Sequence, residues 1–392
     1  VVATVDPDVA RMRIAHVTDF YLPRLGGIEM HVSDLARRQY AAGHDVTIVT
    51  SSPADGCDDS ADTPTVVRVT DGFRRPRAIH PGAPFAGARV LLDGDFDVVH
   101  VHAGTGTPLA FWAALTCSRA GIPTVATVHS LWDWAHPIFW LLNAVAGFSR
   151  RPIRWTAVSQ AAATDVQRVV RSGGKVTVLP NGIDPERWDV EPADREATDV
   201  LLVGVMRLAV RKRPKHLLKM LRAARAAVPA DIRLRAVIVG DGPARPALER
   251  YLARHGMTDW VSLPGRQTRE EIRDLYRRAD VFVAPADLES FGIAALEARC
   301  AGVPVVAKSG NGIAEFVRDG RDGLLVADDA AMTAAIVRLC TQPLLRRALA
   351  GHAEARTSPV SWTATLALTE AAYEEAAVLV GRTAPRAVEV AS

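Results

Sequence analysis

The chain has 392 residues, too many for one ordinary core and enough for two domains of about 150–200 residues each. Its 48% hydrophobic and 23% charged residues are the composition of a globular protein, not of a disordered or fibrous one. A net charge of +3, with no long basic arm and no recognition motif, argues against nucleic acid as a partner.

Cys57, Cys117, Cys300 and Cys340 are far apart and form no C-x-x-C pair, which argues against a zinc site and against a secreted disulfide framework. The start, "VVATVDPDVA", lacks the charged-then-apolar pattern of a signal. No apolar run reaches the ~18 residues of a membrane span. The expectation is a cytoplasmic protein.

Structure is expected from Arg13, after a tail over 1–12. "RIAHVT" (13–18) reads as a buried strand, followed by the loop "DFYLPRLGG". Residues 28–40 carry Met30, Val32 and Leu35 at helical spacing and stop before Gly43. "DVTIVTS" (45–51) is the next strand, completing a βαβ unit of the kind that builds parallel sheets. The rhythm continues through "DVVHVHA" (97–103), a helix near 107–120, "TVATVHS" (124–130), "TAVS" (156–159) and "KVTVLP" (175–180).

Residues 181–199 turn polar, with acidic–Pro steps, and read as a linker. Alternation then restarts, with strands at 200–205, 234–242, 261–266, 280–286 and 303–309 and helices at 215–227, 243–255, 268–279 and 291–301. The fold class expected is α/β: two doubly wound halves, with ligand at the carboxyl ends of the strands. A last amphipathic helix, about 362–380, fits either half, and 381–392 is expected as a tail.

Chemistry gathers at strand ends. In "ESFGIAALE" (289–297), Ser290 is placed as a helix N-cap, so Phe291, Gly292 and Ile293 would offer free amides. Gly292 lets a ligand approach the backbone. Glu289 sits beside that site, and Glu297 lies about 7–8 Å along the helix axis. Two carboxylates so spaced suit two parts of one hydroxyl-rich ligand. The competing reading is one Glu favoured by the helix dipole and one solvated Glu a turn on.

In "GVMRLAVRKRPKH" (204–216), Arg207 and Lys212 lie where a loop could aim two cations at a diphosphate. Arg213, Lys215 and Lys219 read instead as a basic helix face. Gly26 and Gly27 stand between the first strand and the first helix, where a backbone can approach a phosphate, although the dinucleotide fingerprint is missing. His102 and His129 end neighbouring strands. "DGDFD" (93–97) offers two D-x-D steps but precedes its strand, so it reads as a loop and not as a metal site.

Arg207 with Lys212, followed by Glu289 and Glu297 with seven residues between them, resembles the family 4 retaining glycosyltransferases of the GT-B fold. "GHDVTIVT", "VLPNGIDPERW", "VGDGPARPALER", "RADVFVAPADLESFGIAALEARCAGVPVVA" and "DGRDGLLV" are similar to that family in the same order, from about Arg13 to Ala377. The resemblance implies two Rossmann-like domains facing a central cleft: 13–180 on the acceptor side and 200–360 holding a nucleotide sugar. The helix 361–380 would cross back to the first.

By the same resemblance, Arg207 and Lys212 take the donor diphosphate, together with the amide of Gly27 beside Gly26. Glu297 takes the ribose, and Glu289 with the amides of Phe291, Gly292 and Ile293 takes the donor sugar. Arg266 and Gln267 lie against the base. His129 stands near donor sugar and acceptor, with Asp19 and His102 as further acceptor-side candidates. His129, Arg207, Lys212 and Glu289 form the catalytic set. No metal and no cofactor beyond the donor is implied.

Two departures stand out: Arg213 follows Lys212 where the family often has Gly, and Ala314 replaces a common Pro in "GNGIAE" (310–315). The reaction implied is front-face substitution with retention, from GDP-mannose or a UDP-hexose. A sugar-nucleotide epimerase or phosphorylase on the same scaffold, and a non-catalytic sugar-nucleotide binder, are the alternatives.

The opening "VTDFYLPRLGGIEMHVSDLA" and "HSLWDWAHP" resemble members that glycosylate phosphatidylinositol or other lipid-linked acceptors. Two stretches bear on that: 73–89, with Arg74, Arg75, Arg77 and Arg89, and the aromatic, apolar 132–151 ending in an Arg pair. They read either as contacts with an anionic membrane surface, the protein lying peripherally on its inner face, or as buried structure.

Overall fold

The computed structural model describes residues 11–24, 26–54, 64–72, 79–132, 135–171, 174–193, 196–351 and 360–382. Arg74, Arg75, Arg77 and Cys57 lie outside them, as do most of both expected tails. The chain divides into two units, Val1–Gly182 with Trp362–Ser392, and Ile183–Ser361.

The first unit contains β1 (Arg13–Thr18), α1 (Gly27–Ala41), β2 (Asp45–Thr50), β3 (Thr65–Arg68), α2 (Ala83–Asp93) and β4 (Val98–Ala103). It continues with α3 (Pro108–Arg119), β5 (Thr124–Val128), α4 (His136–Ala146), β6 (Ile153–Ala157), α5 (Gln160–Val170) and β7 (Thr177–Val178). The seven strands lie in the order β3-β2-β1-β4-β5-β6-β7, and every pairing is parallel. Helices cover both faces of such a sheet, which is why β4 is buried at all six positions. "DGDFD" clasps β1 to β4: Asp97 Oδ2 accepts from Arg13 N at 2.7 Å, and Asp95 pairs with the Arg13 guanidinium at 3.1 Å.

The second unit contains α6 (Pro185–Trp188), β8 (Asp199–Val205), α7 (Pro214–Ala227), β9 (Arg233–Val239), α8 (Arg245–Arg254), β10 (Val261–Gly265) and α9 (Arg269–Tyr276). β11 (Val281–Ala284), α10 (Ile293–Cys300), β12 (Val305–Lys308), β13 (Gly323–Val326), α11 (Asp329–Thr341) and α12 (Pro343–Ala350) follow. Its sheet is also all parallel, in the order β10-β9-β8-β11-β12-β13. Leu202, Leu217, Val283, Val306 and Ile336 centre its core.

The stretch expected as a linker carries the short helix α6. Ile183 onward belongs to the second unit, and Trp188, 3% exposed, sets its ring 5.8 Å from that of Tyr276. Burying one indole outweighs the polar composition around it, since an aromatic side chain is among the largest apolar areas a chain can hide. The last helix, α13 (Trp362–Leu379), belongs to the first unit. Its Ala372, Tyr373 and Ala376 pack on Ile14, Val98 and Val125, and Arg154 pairs with its Glu375.

Candidate active site

In the second unit β8 connects onward to β9 on one side, while its other neighbour, β11, connects onward to β12, so the loops leaving β8 and β11 part at one edge. That is the crevice where doubly wound sheets bind ligands. The loop after β8 lies on two glycines. Met206 N donates to Val239 O (3.0 Å), Leu208 N to Asp241 O (2.9 Å) and Ala244 N to Leu208 O (2.9 Å). A Cβ on Gly240, whose φ is +124°, would sit 1.9 Å from Met206 O. This close approach fixes the backbone of Arg207 while its side chain is exposed.

The chain then makes a 3₁₀ turn, Val210–Lys212, and Lys212 Nζ reaches Glu289 Oε2 at 2.5 Å. The pair joins the loop after β8 to the loop after β11. Both side chains are partly buried, at 33% and 15% exposure, so the attraction is less screened than at an open surface.

"GNGIAE" supports the Glu289 loop from the next strand. Gly312 N donates to Glu289 O at 2.8 Å, and a Cβ on Gly312 would lie 2.1 Å from Ser290 O. The helix after Glu289 is capped differently from expectation. Gly292, not Ser290, is the N-cap, in the left-handed region at φ +90°, and α10 starts at Ile293. A Cβ there would meet Ile313 at 2.5 Å, so glycine is required twice over, by conformation and by space. The first-turn amides of Ile293 and Ala294 have no intrahelical partner. Phe291 is buried, its ring 5.6 Å from Phe316, so only its backbone is available. Glu297 is half-buried in α10. Burial first, and then the Glu297 charge, push the Tyr276 hydroxyl well above its usual range.

Arg213 is not part of a solvated basic face, although Lys215 and Lys219 are exposed. Its φ of +57° is left-handed, which explains why glycine suits this place. The guanidinium grips Asp329 with two bonds (2.9 and 2.8 Å) and reaches Asp287 at 2.8 Å; Lys308 adds a bond to Asp329 at 2.8 Å. The bond from Arg213, with help from Lys308, holds the Asp329 carboxyl down at about 2. Lys308 and Asp329 escaped the sequence reading, because nothing local marks them as partners of residue 213. Arg266 and Gln267 follow β10, two strands from β8. Gln267 Oε1 is buried without a hydrogen-bond partner among the described residues.

In the first unit the switch falls at β1, between β2 and β4. Gly26 caps α1 in an extended conformation open to any residue, but a Cβ would lie 2.4 Å from Glu29 Oε2, on a carboxylate whose Oε1 pairs with Arg24. Gly27, the first helical residue, is exposed. Asp19, an acceptor-side candidate, is buried, and its two oxygens accept from Leu109 N and Ala110 N at 3.0 Å, anchoring the start of α3. Burial pushes its carboxyl up to about 7, against the pull of those amides.

His102 is fully buried, and both ring nitrogens are engaged, by His16 and by His129 at 3.0 Å each. Its ring lies 5.2 Å from that of His16 and 5.2 Å from that of His129. His16, Gln39 and Tyr373 join this cluster and were missed, since they come from β1, α1 and α13.

Two parallel doubly wound units in one chain, as in the solved glycosyltransferases it resembles, make up the scaffold called GT-B. Residues 25–187 match the model of Glycosyltransferase Family 4, and 197–342 that of Glycosyl transferases group 1. The chain is 31% identical to the D-inositol 3-phosphate glycosyltransferase of Actinosynnema mirum, over 90% of this chain and 92% of that one. It is 23% identical to the alpha-monoglucosyldiacylglycerol synthase of Acholeplasma laidlawii, over 89% and 93%. Anabaena HepE, solved in complex with UDP and glucose, shares the fold with a TM-score of 0.71 at 19% identity, over 92% and 98%. The chain belongs to the family 4 glycosyltransferases of the GT-B fold.

Proposed function

We propose that this glycosyltransferase moves a hexosyl unit from GDP-mannose or a UDP-hexose to a hydroxyl of a lipid or cell-envelope glycan, with retention and without a metal. The observation that carries the reading is the Lys212–Glu289 pair at the β8/β11 switch, beside the loop that presents Arg207. A bound diphosphate would compete for Lys212 and release Glu289 to accept from the sugar hydroxyls. Arg207 and Lys212 would then stabilise the charge that grows as the C1–oxygen bond breaks and its electrons pass to the diphosphate. The acceptor oxygen bonds to C1 on the same face, and its proton goes to the departing phosphate oxygen. His129 is the acceptor-side histidine in this reading.

The names of the relatives support a lipid or inositol acceptor, and UDP in HepE supports a nucleotide donor. An anionic membrane surface is the proposed partner. On α4, Ile138, Leu141, Leu142 and Val145 form an exposed stripe at i, i+3, i+4 and i+7, with Trp140 alongside and Arg150 beyond. This contrasts with the buried helix that 132–151 could have been. Phe139 is the buried residue of its inner side, stacked on Trp132 at 4.0 Å, and Asn143 Nδ2 donates to Val169 O at 2.9 Å. Among the described residues no helix is long and apolar enough to cross a membrane.

The test is donor hydrolysis without acceptor, over GDP-mannose, UDP-glucose, UDP-GlcNAc and UDP-galactose, with EDTA present. Release of nucleoside diphosphate from one donor supports the reading and names the sugar. Release that EDTA abolishes would overturn metal independence, and hexose 1-phosphate formed only with free phosphate would favour a phosphorylase.

A further inference from the structure

One face of the first unit's sheet carries imidazoles. Register pairs His16 with His100 and places His102 two residues on, so the three share a face. All are fully buried. Loss of hydration holds His16 and His31 down at about 4, and His100, His102 and His129 well below the usual range. These rings are neutral.

A neutral imidazole has one N–H and one lone pair, so in a chain of rings each bond dictates the next. Gln39 Oε1 lies 2.6 Å from His16 Nε2, His16 Nδ1 lies 3.0 Å from His102 Nε2, and His102 Nδ1 lies 3.0 Å from His129 Nε2. From the same amide, Gln39 Nε2 donates to the Tyr373 hydroxyl at 3.1 Å, which lies 3.0 Å from His100 Nδ1. His100 Nε2 is 2.7 Å from Thr127 Oγ1, itself 2.6 Å from Thr156 Oγ1.

Along Gln39, His16, His102 and His129 only two settings give every link one proton: with the Gln39 carbonyl toward His16 all three rings are Nε2–H, and with the amide turned over all three are Nδ1–H. His100 joins the Nε2–H setting when the Tyr373 hydroxyl, accepting from Gln39, donates onward to it. The Nε2–H form is the one histidine favours in water, and here four such preferences act together.

We infer that Gln39, through His16 and His102, holds His129 in the Nε2–H tautomer with its lone pair on Nδ1. Gln39, His16 and His102 are then positioning residues for the acceptor-side histidine, an assignment that rests on the proposed function. In that tautomer a group that donates to His129 Nδ1 finds a lone pair there. Nitrogens of His16, His100 and His102 lie within 4.8 Å of one another, but a cation there would take the lone pair that His16 gives to His102.

The test is a long-range 1H–15N correlation spectrum of the full chain labelled at histidine, at pH 7.5. The expected result is His16, His100, His102 and His129 as Nε2–H, with His129 becoming a tautomer mixture in Gln39→Leu and kcat falling about tenfold at unchanged donor KM. Tyr373→Phe covers a folding failure of Gln39→Leu: His129 should stay Nε2–H while His100 loses its lock. Wild-type His129 as Nδ1–H or imidazolium, an unchanged His129 in Gln39→Leu, or Zn2+ breaking the His16–His102 link would each overturn the inference. The expected tautomers in a protein that turns over no donor would support the chain and overturn the reading of the site.

Discussion

At the scale of single residues, Glu289 and Glu297 differ in what they touch, and so should their variants. Glu297→Ala removes the proposed ribose ligand, and calorimetry should show nucleoside diphosphate binding weakened about tenfold, or about 1.4 kcal/mol. Glu289→Ala frees Lys212 for the diphosphate, so binding should hold or tighten while turnover collapses. Equal loss of binding in both would contradict this division. Arg213 offers a test on stability. Ala there would lose the grip on Asp329 and keep the left-handed backbone, whereas Gly loses the grip and relieves the strain. Urea unfolding should place Arg213→Gly about 1 kcal/mol above Arg213→Ala; the reverse order would mean that the backbone at 213 carries no strain.

At the scale of elements, strand ends were readable because Val-rich runs, Gly punctuation and strand-end charges are local signals. Boundaries followed tertiary contacts instead: the Gly292 cap is selected by Ile313, and α6 by a pocket for Trp188. The α4 stripe could not be told from a core helix by periodicity, since a face toward lipid and a face toward core have the same spacing. Vesicle flotation decides what it meets. Vesicles with anionic lipid should carry the protein upward, neutral vesicles should carry less, and Leu141→Asp with Leu142→Asp should leave it in the soluble fraction. Wild-type protein left wholly soluble would remove membrane contact from the account.

At the scale of the whole molecule, the two units should respond differently to acid. A histidine whose pKa is lowered by burial contributes stability that is complete above its unfolded value of 6.5 and is lost as pH falls toward the folded value. For His16 and His31, held at about 4, the loss between pH 6.5 and pH 5 is about 2 kcal/mol each. His100, His102 and His129 add in the same direction. Asp19, raised to about 7, acts oppositely, losing stability as pH rises, but it is one group against five. Hydrogen exchange at pH 7 and pH 5 should therefore show protection falling in β1, β4 and β5 before β8 and β11. Equal loss in both units would contradict neutral buried histidines. By itself the sequence determined the βα rhythm, the parallel sheets and the strand-end addresses of Arg207, Glu289 and His129, because periodicity and turn chemistry act within a few residues. Only the tertiary structure decided that Lys212 meets Glu289, that Arg213 grips Asp329, and that Gln39 bonds Tyr373 from 334 residues away. Partner choice depends on strand order and on which helix returns to which sheet, and no local pattern carries that information.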